Sequence, residues 1–329
     1  MRTLVTGGSG YFGSVLVREL IGRGVKPRVL DLVEDAGRLP EAEFMQGDIR
    51  DPAAMRAAVD GMEVVYHCAA QVPLAWDPGG RDGTENLLQA ARDAKVKKVV
   101  YLSSSAVYGT PEKNPVTEET PPAPREGYGR SKLAAEELCR RCAGDVSIIR
   151  PRTILGSGRL GIFQILFEWV YQGSNIPVLG RGDNVYQFVH ADDLADACIL
   201  AAAKPGPSVF NCGAERYGTL RETLEALCAH AKTGSRVRGV PAALGRISMK
   251  LSGALRPYHS LMYGRSLYFD LCKIKKELGW SSRHSNEEMM IESYEWYKAH
   301  REEVLKAEGK SPHRSAVDQG LLALARRLF

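Results

Sequence analysis

No long apolar run occurs in this sequence of 329 residues. Its purely apolar stretches, such as Ala197–Ala203, are far too short for a helix that crosses a bilayer, which needs about 20 residues. The first residues lead directly into a predicted strand and show no pattern of a cleavable signal. The sequence therefore predicts a cytoplasmic protein without an integral membrane segment.

The cysteines do not form the pattern of a disulfide framework. The chain has seven, an odd number at scattered positions, which indicates reduced thiols. Cys139 and Cys142 form a CxxC pair, but no second pair accompanies it, and a helix is predicted there. We interpret the pair as helix packing rather than as a redox or metal site, and the sequence predicts no bound metal.

A strong charge of either sign is also missing. The formal net charge of +5 is modest, spread along the chain and not interleaved with aromatic residues. Nucleic acid is therefore not an expected partner, whereas a small anionic ligand is compatible with this balance. With 44% hydrophobic and 25% charged residues, the chain is typical of globular proteins. Its length fits either a single large α/β unit or a nucleotide-binding domain with a smaller companion.

A glycine-rich turn follows the first predicted strand. The apolar run Thr3–Thr6 leads into Gly7, Gly10 and Gly13, and an apolar-periodic helix continues through Leu20. Glycines at such a turn let the backbone approach a pyrophosphate, which the start of the helix then favours electrostatically. A surface turn is the alternative, but the position between strand and helix favours a bound dinucleotide.

The next predicted strand ends at a residue that suits a nucleotide cofactor. The strand 28–30 ends at Asp31, whose carboxylate would accept hydrogen bonds from the ribose hydroxyls of NAD and repel the 2′-phosphate of NADP. NAD is therefore the predicted cofactor. Another strand, 44–49, closes on Asp48, and the strand 64–66 runs into the small residues Ala69 and Ala70.

Tyr128 precedes Lys132 by four residues, so in a helix both side chains leave one face about one turn apart. A nearby ammonium favours the phenolate and lowers the pKa of a tyrosine, which suits general acid/base chemistry on an alcohol or ketone. An exposed helix with a packed tyrosine is the alternative. Upstream, Ser103–Ser105 follow the predicted strand 99–102, where open α/β sheets bind ligands.

These motifs together resemble the extended branch of the short-chain dehydrogenase/reductase superfamily, within its NAD-dependent epimerase/dehydratase family. The resemblance rests on TGxxGxxG from Thr6, an HxAA segment from His67, the Tyr128–Lys132 pair and a KxxxELGW ending at Trp280. It implies an α/β fold, a doubly wound parallel sheet (Rossmann) with a smaller C-terminal substrate-binding region. Residues 1–154 would form the NAD-binding core, to which 185–203 return, and 155–329 would mainly bind substrate.

The resemblance also implies a role for individual residues. Ser104, counted back from Tyr108, matches the catalytic serine or threonine, with Ser105 as the fallback, and Asp192 or Asp193 is interpreted as a helix N-cap. The implied catalytic residues are Ser104, Tyr128 and Lys132. The implied cofactor-binding residues are Gly7, Gly10, Tyr11, Phe12, Gly13, Asp31, Asp48, Ile49, Ala69, Ala70, Tyr128, Lys132 and Pro151. The implied substrate-binding residues are Ser105, Thr153 and Arg265.

Two enzyme functions fit this pattern. An NAD-dependent epimerase of a nucleoside-diphosphate sugar, acting at C4 through a transient ketone, is favoured by Asp31, Gln71, Thr153 and the LGW ending. A dehydrogenase or reductase of a non-nucleotide alcohol, similar to 3β-hydroxysteroid dehydrogenases, is favoured by the Arg150–Pro151 joint and the basic, apolar stretch 236–265. A dehydratase is disfavoured because Ser105 and Ala106 replace an acidic pair, and a cofactor sensor would not need the catalytic residues.

Other expectations concern surfaces and assembly. The stretch 236–265 could be an arginine lid over a diphosphate, a basic amphipathic surface or a partly buried helix, and the tail 321–329 is predicted to be a docked terminal helix. The expected partner is a small molecule, most simply a nucleotide sugar. By resemblance, two helices of each chain would pack as a four-helix bundle in a homodimer.

Overall fold

A sheet of seven parallel strands forms the centre of the protein's first compact unit. The computed structural model describes residues 1–35, 37–70, 78–241 and 265–306. Within these ranges the strands, in chain order, are β1 (Thr3–Thr6), β2 (Pro27–Asp31), β3 (Glu43–Gln46), β4 (Val64–His67), β5 (Lys98–Leu102), β6 (Val146–Pro151), β7 (Thr153–Leu155), β8 (Ile176–Leu179), β9 (Val185–Tyr186), β10 (Phe188–His190), β11 (Ser208–Cys212), β12 (Gly218–Thr219) and β13 (Val237–Val240).

Helices follow most of these strands, as βαβ connections require. None of the helices in the described ranges is both long and apolar enough to span a bilayer. They are α1 (Tyr11–Gly22), α2 (Pro52–Val59), α3 (Pro78–Asp93), α4 (Gly127–Arg141), α5 (Ile162–Tyr171), α6 (Ala191–Ala203), α7 (Leu220–Ala231), α8 (Cys272–Leu278), α9 (Asn286–Ala299) and α10 (Arg301–Lys306).

The chain divides into two compact units, neither of which is continuous in sequence. The first comprises Met1–Thr153, Ala191–Gly213 and Phe269–Ser282. The second comprises the intervening segments Ile154–His190 and Ala214–Tyr268 together with Arg283–Phe329.

The large sheet has the strand order β11-β6-β5-β4-β1-β2-β3, with parallel pairing throughout. This is the order of a doubly wound Rossmann sheet with one added strand, so the predicted fold class is confirmed. The strands β1, β4, β5 and β6 are buried along their whole length. Because helices cover both faces of a parallel sheet, such strands are apolar almost throughout rather than alternating.

The order of the sheet reverses at β1, which pairs with β2 on one side and β4 on the other. Ligands of open α/β sheets bind outside the carboxyl ends of the strands at such a switch point. The glycine turn follows β1, and Cys68–Ala70 follow β4. The strand order therefore brings the glycine turn and the HxAA segment to one place.

The second unit has its own core. Phe163 stacks on Phe167 with ring centres 6.2 Å apart, and Phe167 meets Tyr294 edge-on. The short strands β8 and β13 pair in parallel, and β9 and β12 pair antiparallel. Capping boxes at Thr219 and Ser285 begin α7 and α9, because each side chain accepts a hydrogen bond from the backbone N–H three residues on.

Several predicted boundaries differ from those observed. The strand predicted over 44–49 ends at Gln46, and α6 begins at Ala191, so Asp192 and Asp193 lie in its first turn rather than at the N-cap. The predicted helix that contains the CxxC pair ends at Arg141, just before Cys142. Gln71, most of the stretch 236–265 and the tail 321–329 lie outside the described residues.

Candidate active site

The glycine turn packs tightly against the end of β4. Gly7 has a φ of +74°, and a Cβ placed on it would lie 2.6 Å from the backbone nitrogen of Ala69. A Cβ on Gly13 would lie 2.0 Å from the Gly7 carbonyl oxygen. A Cβ on Gly10 would meet that same oxygen at 3.2 Å, which a small shift could relieve. The turn therefore excludes side chains at Gly7 and Gly13, and a tight turn of this kind lets a backbone approach a pyrophosphate closely.

The helix α1 begins directly at this turn. Tyr11 and Phe12 occupy its first turn with side chains only 8% and 6% exposed. The backbone N–H groups in the first turn of a helix lack partners within that helix and can hold an anion, so any contact of these two residues with one is expected through the backbone. The Gly7 N–H donates to the carbonyl of Leu30 at 2.8 Å, which fixes the turn to β2.

Asp31 links the glycine turn to the end of β2. Its Oδ2 accepts a hydrogen bond from the Ser9 N–H at 3.0 Å, and its Oδ1 accepts one from the Leu32 N–H at 2.8 Å. A cavity of about 200 Å³ is lined in part by Ser9, Arg18 and Arg38. The hydrogen bond from Ser9 holds the Asp31 carboxylate next to the glycine turn, which is where a ribose-binding carboxylate is expected.

Asp48 and Ile49 follow β3 rather than ending it. The Asp48 carboxylate accepts from the Arg50 Nε at 3.0 Å, and these hydrogen bonds hold the pKa of Asp48 below its usual value. Ile49 packs against α3, since a Cβ on Gly83 would lie 2.4 Å from the Ile49 Cδ1. Arg50 therefore fixes the Asp48 carboxylate, and α3 fixes the Ile49 side chain.

Ala69 and Ala70 continue the segment that follows His67. The imidazole of His67 is buried between Thr6 and Thr84, with Nδ1 2.7 Å from the Thr6 Oγ1 and Nε2 3.1 Å from the Thr84 Oγ1. Burial lowers the pKa of His67 to about 3, so the ring is neutral. These contacts agree with the interpretation of His67 as a structural residue.

Tyr128 and Lys132 lie one turn apart on α4, as their spacing predicts. The Lys132 Nζ is 6.0 Å from the centre of the Tyr128 ring and donates a hydrogen bond to the Leu102 carbonyl at 2.7 Å. That carbonyl ends β5, so the lysine connects the helix to the strand that precedes the serines.

Lys132 is only 5% exposed. Burial lowers its pKa to about 8, because an ammonium is poorly solvated inside the protein. The group still carries its charge at neutral pH. A positive charge near a phenol favours the phenolate, which is the form that accepts a proton from an alcohol.

Ser104 and Ser105, two of the serines that follow β5, have different surroundings. The Ser104 Oγ caps a 3-10 turn, Ser105–Tyr108, by accepting from the Ala106 N–H at 3.1 Å. A hydroxyl that accepts one hydrogen bond can still donate its own hydrogen. The Ser105 Oγ, by contrast, accepts from the buried Arg152 Nη1 at 2.9 Å.

Gly129 explains how this 3-10 turn packs on α4. A Cβ at Gly129 would lie 2.5 Å from the Ala106 carbonyl oxygen, so only glycine permits the contact. The turn carries Ser104 at its start, and Gly129 directly follows Tyr128. The contact therefore brings the serine segment and the tyrosine segment together.

The remaining predicted site residues lie further along the chain. Pro151 ends β6 and is buried, and Thr153 is partly exposed at the start of β7. Both belong to the first unit, whereas Arg265 is an exposed residue of the second. The roles of these residues toward a substrate stay predictions.

Comparison with known proteins decides the family. The chain matches the model of the NAD dependent epimerase/dehydratase family over residues 3–213, well over half of its length. The chain belongs to this family. As a member of the NAD dependent epimerase/dehydratase family it is an NAD-dependent enzyme, and the glycine turn and Asp31 fit that cofactor.

Individual proteins are similar to the chain over most of its length. An uncharacterized protein of Sinorhizobium fredii is 49% identical over 98% of this chain and 84% of its own length. The UDP-glucose 4-epimerase of Lactobacillus helveticus is 31% identical over 91% of this chain and 98% of its own length. The crystal structure of the Thermotoga maritima UDP-glucose 4-epimerase with UDP-glucose is 25% identical, covers 92% of this chain and 100% of that one, and has a TM-score of 0.75.

One part of the site was not predicted. Glu136, four residues after Lys132, is fully buried and accepts hydrogen bonds from Ser103 and Arg150. Arg150 also donates to the Tyr108 hydroxyl at 2.6 Å. The only sequence signal was an acidic residue continuing the Tyr128–Lys132 face of α4, a position usually exposed in a surface helix.

Proposed function

We propose that the protein is an NAD-dependent epimerase of a nucleoside-diphosphate sugar that inverts C4 through a transient ketone. The observation that carries the proposal is the placement of Tyr128 and the buried Lys132 on one face of α4, next to the serines that follow β5. The similarity to a UDP-glucose 4-epimerase over 91% of the chain supports the substrate class.

We propose that the cofactor would bind along the strand ends of the first unit. NAD would supply the hydride chemistry at the sugar carbon, and the chain would hold it in place. The residues that would hold it are Gly7, Gly10, Tyr11, Phe12, Gly13, Asp31, Asp48, Ile49, Ala69, Ala70, Tyr128, Lys132 and Pro151.

Proton transfer is the task of the chain itself. Tyr128 would take the proton of the sugar hydroxyl on its Oη and give it back after inversion. Lys132 would hold the phenolate by its charge and hydrogen-bond the nicotinamide ribose. Ser104 would donate its hydroxyl hydrogen to the substrate oxygen while that oxygen is a ketone.

Substrate positioning is proposed for Ser105, Thr153 and Arg265. Ser105 is held by the Arg152 guanidinium, so a polar, positively charged group stands directly behind it. Such surroundings suit an oxygen-rich, anionic substrate rather than a sterol.

The rival function is a dehydrogenase of a non-nucleotide alcohol, which the Arg150–Pro151 joint and the stretch 236–265 favour by resemblance. In the first unit the Arg150 guanidinium donates to Glu136 and Tyr108, so this arginine supports the fold around α4. A cytoplasmic location and a homodimer stay predictions.

A product assay tests the proposal. Purified protein with NAD is incubated with UDP-glucose, UDP-galactose, UDP-glucuronate and GDP-mannose, and the products are separated by chromatography and identified by NMR. We expect inversion at C4 of at least one substrate without net NADH. Net NADH with a simple alcohol and no epimer would instead establish the dehydrogenase.

Tyr128→Phe provides the matched control for that assay. The variant keeps the ring but has no hydroxyl to move the proton, so turnover should fall about 10²–10⁴-fold. NAD released by denaturing the purified variant should equal that from the wild type. Full activity in the variant would remove Tyr128 from the mechanism.

A further inference from the structure

Two imidazoles and a carboxylate meet in the second unit, on elements that carry none of the proposed catalytic residues. His190 ends β10, His284 precedes α9, and Glu292 lies within α9. Each offers one possible metal-ligand atom, and these atoms all lie within 4.8 Å of one another. His190 is only 3% exposed, while His284 and Glu292 are partly exposed, so the group lies at the edge of the second unit's interior.

The carboxylate of Glu292 is held at both oxygens. Its Oε2 is 3.1 Å from the His190 Nε2. Its Oε1 accepts hydrogen bonds from the Ser157 N–H at 3.1 Å and from the Ser157 Oγ at 2.7 Å. Ser157 therefore orients the carboxylate from behind, as outer partners of metal ligands do.

The imidazoles of His190 and His284 stack on each other. Their ring centres are 3.9 Å apart and their planes are inclined by 24°. A tetrahedral zinc ion holds its nitrogen and oxygen ligands at about 2.0–2.1 Å, which places them roughly 3.4 Å from one another. The His190–Glu292 distance is close to this requirement. The two stacked rings would have to separate on metal binding for both imidazole nitrogens to face one ion.

We propose that His190, His284 and Glu292 form a zinc site. Two neutral imidazole nitrogens and one carboxylate oxygen are typical zinc ligands, and water would complete the tetrahedron. Magnesium and calcium are disfavoured because they prefer oxygen ligands throughout. The sequence predicts no metal site, since the ligands come from segments far apart in the chain.

The site would join separate segments of the second unit. His190 belongs to a strand, Glu292 to a helix and Ser157 to the loop after β7. A metal bound only by the folded protein stabilises it by mass action. The site therefore has a structural role, and the proposal does not depend on the epimerase function.

Metal binding is measured directly on the full chain without an affinity tag. Chelator-treated protein is dialysed against buffered Zn²⁺, and bound zinc is counted by mass spectrometry; Co²⁺ then reports ligand type by visible absorption. We expect one zinc per chain, a tetrahedral cobalt spectrum without a thiolate band, and a higher melting temperature with zinc.

Three variants separate a metal site from a simple ion pair with a ring stack. His284→Phe keeps an aromatic ring but removes a ligand, and Glu292→Gln keeps the shape but removes the charge; each should weaken zinc binding at least 10-fold. Ser157→Ala should weaken it about 10-fold while keeping all three ligands.

The matched control is His230→Phe. His230 also pairs with a glutamate, Glu295, at 2.9 Å in the same unit, but this pair is exposed. Its loss should leave zinc binding unchanged. If the wild type takes up no zinc, binds it through thiolates, or loses no affinity in the Glu292→Gln and Ser157→Ala variants, the group is an ion pair only and the proposal is wrong.

Discussion

Arg150 and Glu136 form a buried two-point ion pair in the first unit. The Arg150 Nε donates to the Glu136 Oε1 at 2.8 Å, and its Nη2 donates to Oε2 at 2.6 Å. Arg150 is 1% exposed and Glu136 is fully buried. Glu136 also accepts from the Ser103 hydroxyl, so the pair connects α4 to the ends of β5 and β6.

Replacing Glu136 with glutamine should destabilise the protein strongly. The variant leaves the Arg150 guanidinium buried without its counter-charge, which costs about 3–5 kcal/mol in free energy of unfolding. Urea denaturation measures the loss. Glu137→Gln is the control, because Glu137 pairs with Arg141 at the surface at 3.9 Å and should matter by less than about 1 kcal/mol. Similar losses in both variants would show that the buried pair contributes little.

Lys132→Met should change how stability depends on pH. In the folded protein the pKa of Lys132 is lowered from 10.5 to about 8, so between these values the unfolded chain binds more protons. The wild type therefore gains stability from this group as pH rises from about 8 to 10.5, while the variant does not. The difference in free energy of unfolding should shift by about 2–3 kcal/mol toward the wild type over that range.

Urea titrations of both proteins at several pH values, with the cofactor removed, check this sign. Measuring the difference between the two proteins cancels the other groups that titrate in the same range. A difference that stays constant from pH 7 to 10.5 would contradict the burial of a charged lysine.

Two glycines of α1 should respond oppositely to alanine. Gly13→Ala places a Cβ 2.0 Å from the Gly7 carbonyl oxygen, so the backbone must shift, at a cost of about 1–3 kcal/mol and with weaker NAD binding. Gly22→Ala meets nothing within 4 Å and should be neutral or stabilise the helix by up to about 1 kcal/mol. Thermal denaturation and NAD titration of both variants test the contrast; equal NAD affinities would argue against the tight turn.

Asp31→Asn should weaken the preference for NAD over NADP. The amide keeps an oxygen for the Ser9 N–H, but it loses the negative charge that repels a 2′-phosphate. It also loses one of the two carboxylate oxygens that would accept hydrogen bonds from the ribose hydroxyls. We expect NAD affinity to fall about 10-fold and the ratio of NAD to NADP affinity to fall further. Titration of cofactor-stripped protein measures both; an unchanged ratio would mean that other groups select the cofactor.

Local patterns predicted much of the fold. The residues of β1 and β2, the glycine turn and the helical Tyr128–Lys132 face follow from short-range periodicity and spacing. The end of β3 does not, because among the described residues its one neighbour in the sheet is β2, and their last residue pair is Asp31 with Gln46. Past that pair the Gly47 N–H makes one more hydrogen bond to the Asp31 carbonyl, at 2.9 Å, and Asp48 then lies in a loop.

The parts of the site that escaped prediction depend on long-range packing. Glu136 and Arg150 meet because α4 packs beside β6, and Arg152 reaches Ser105 across neighbouring strand ends. In the sequence, each of these three residues is a charged side chain whose partner cannot be identified. Likewise, His190 and His284 lie in different segments, and only the folded second unit brings their rings together.

The discontinuous units have a practical consequence for protein engineering. The chain passes between the two units at five junctions, and the strand β11 at the edge of the large sheet comes from Ala191–Gly213. A fragment cut after Thr153 would therefore expose β6, a fully buried strand, as a new sheet edge open to aggregation. Exchanging substrate specificity with a relative thus requires grafting several segments at once, because no single cut separates cofactor binding from the rest.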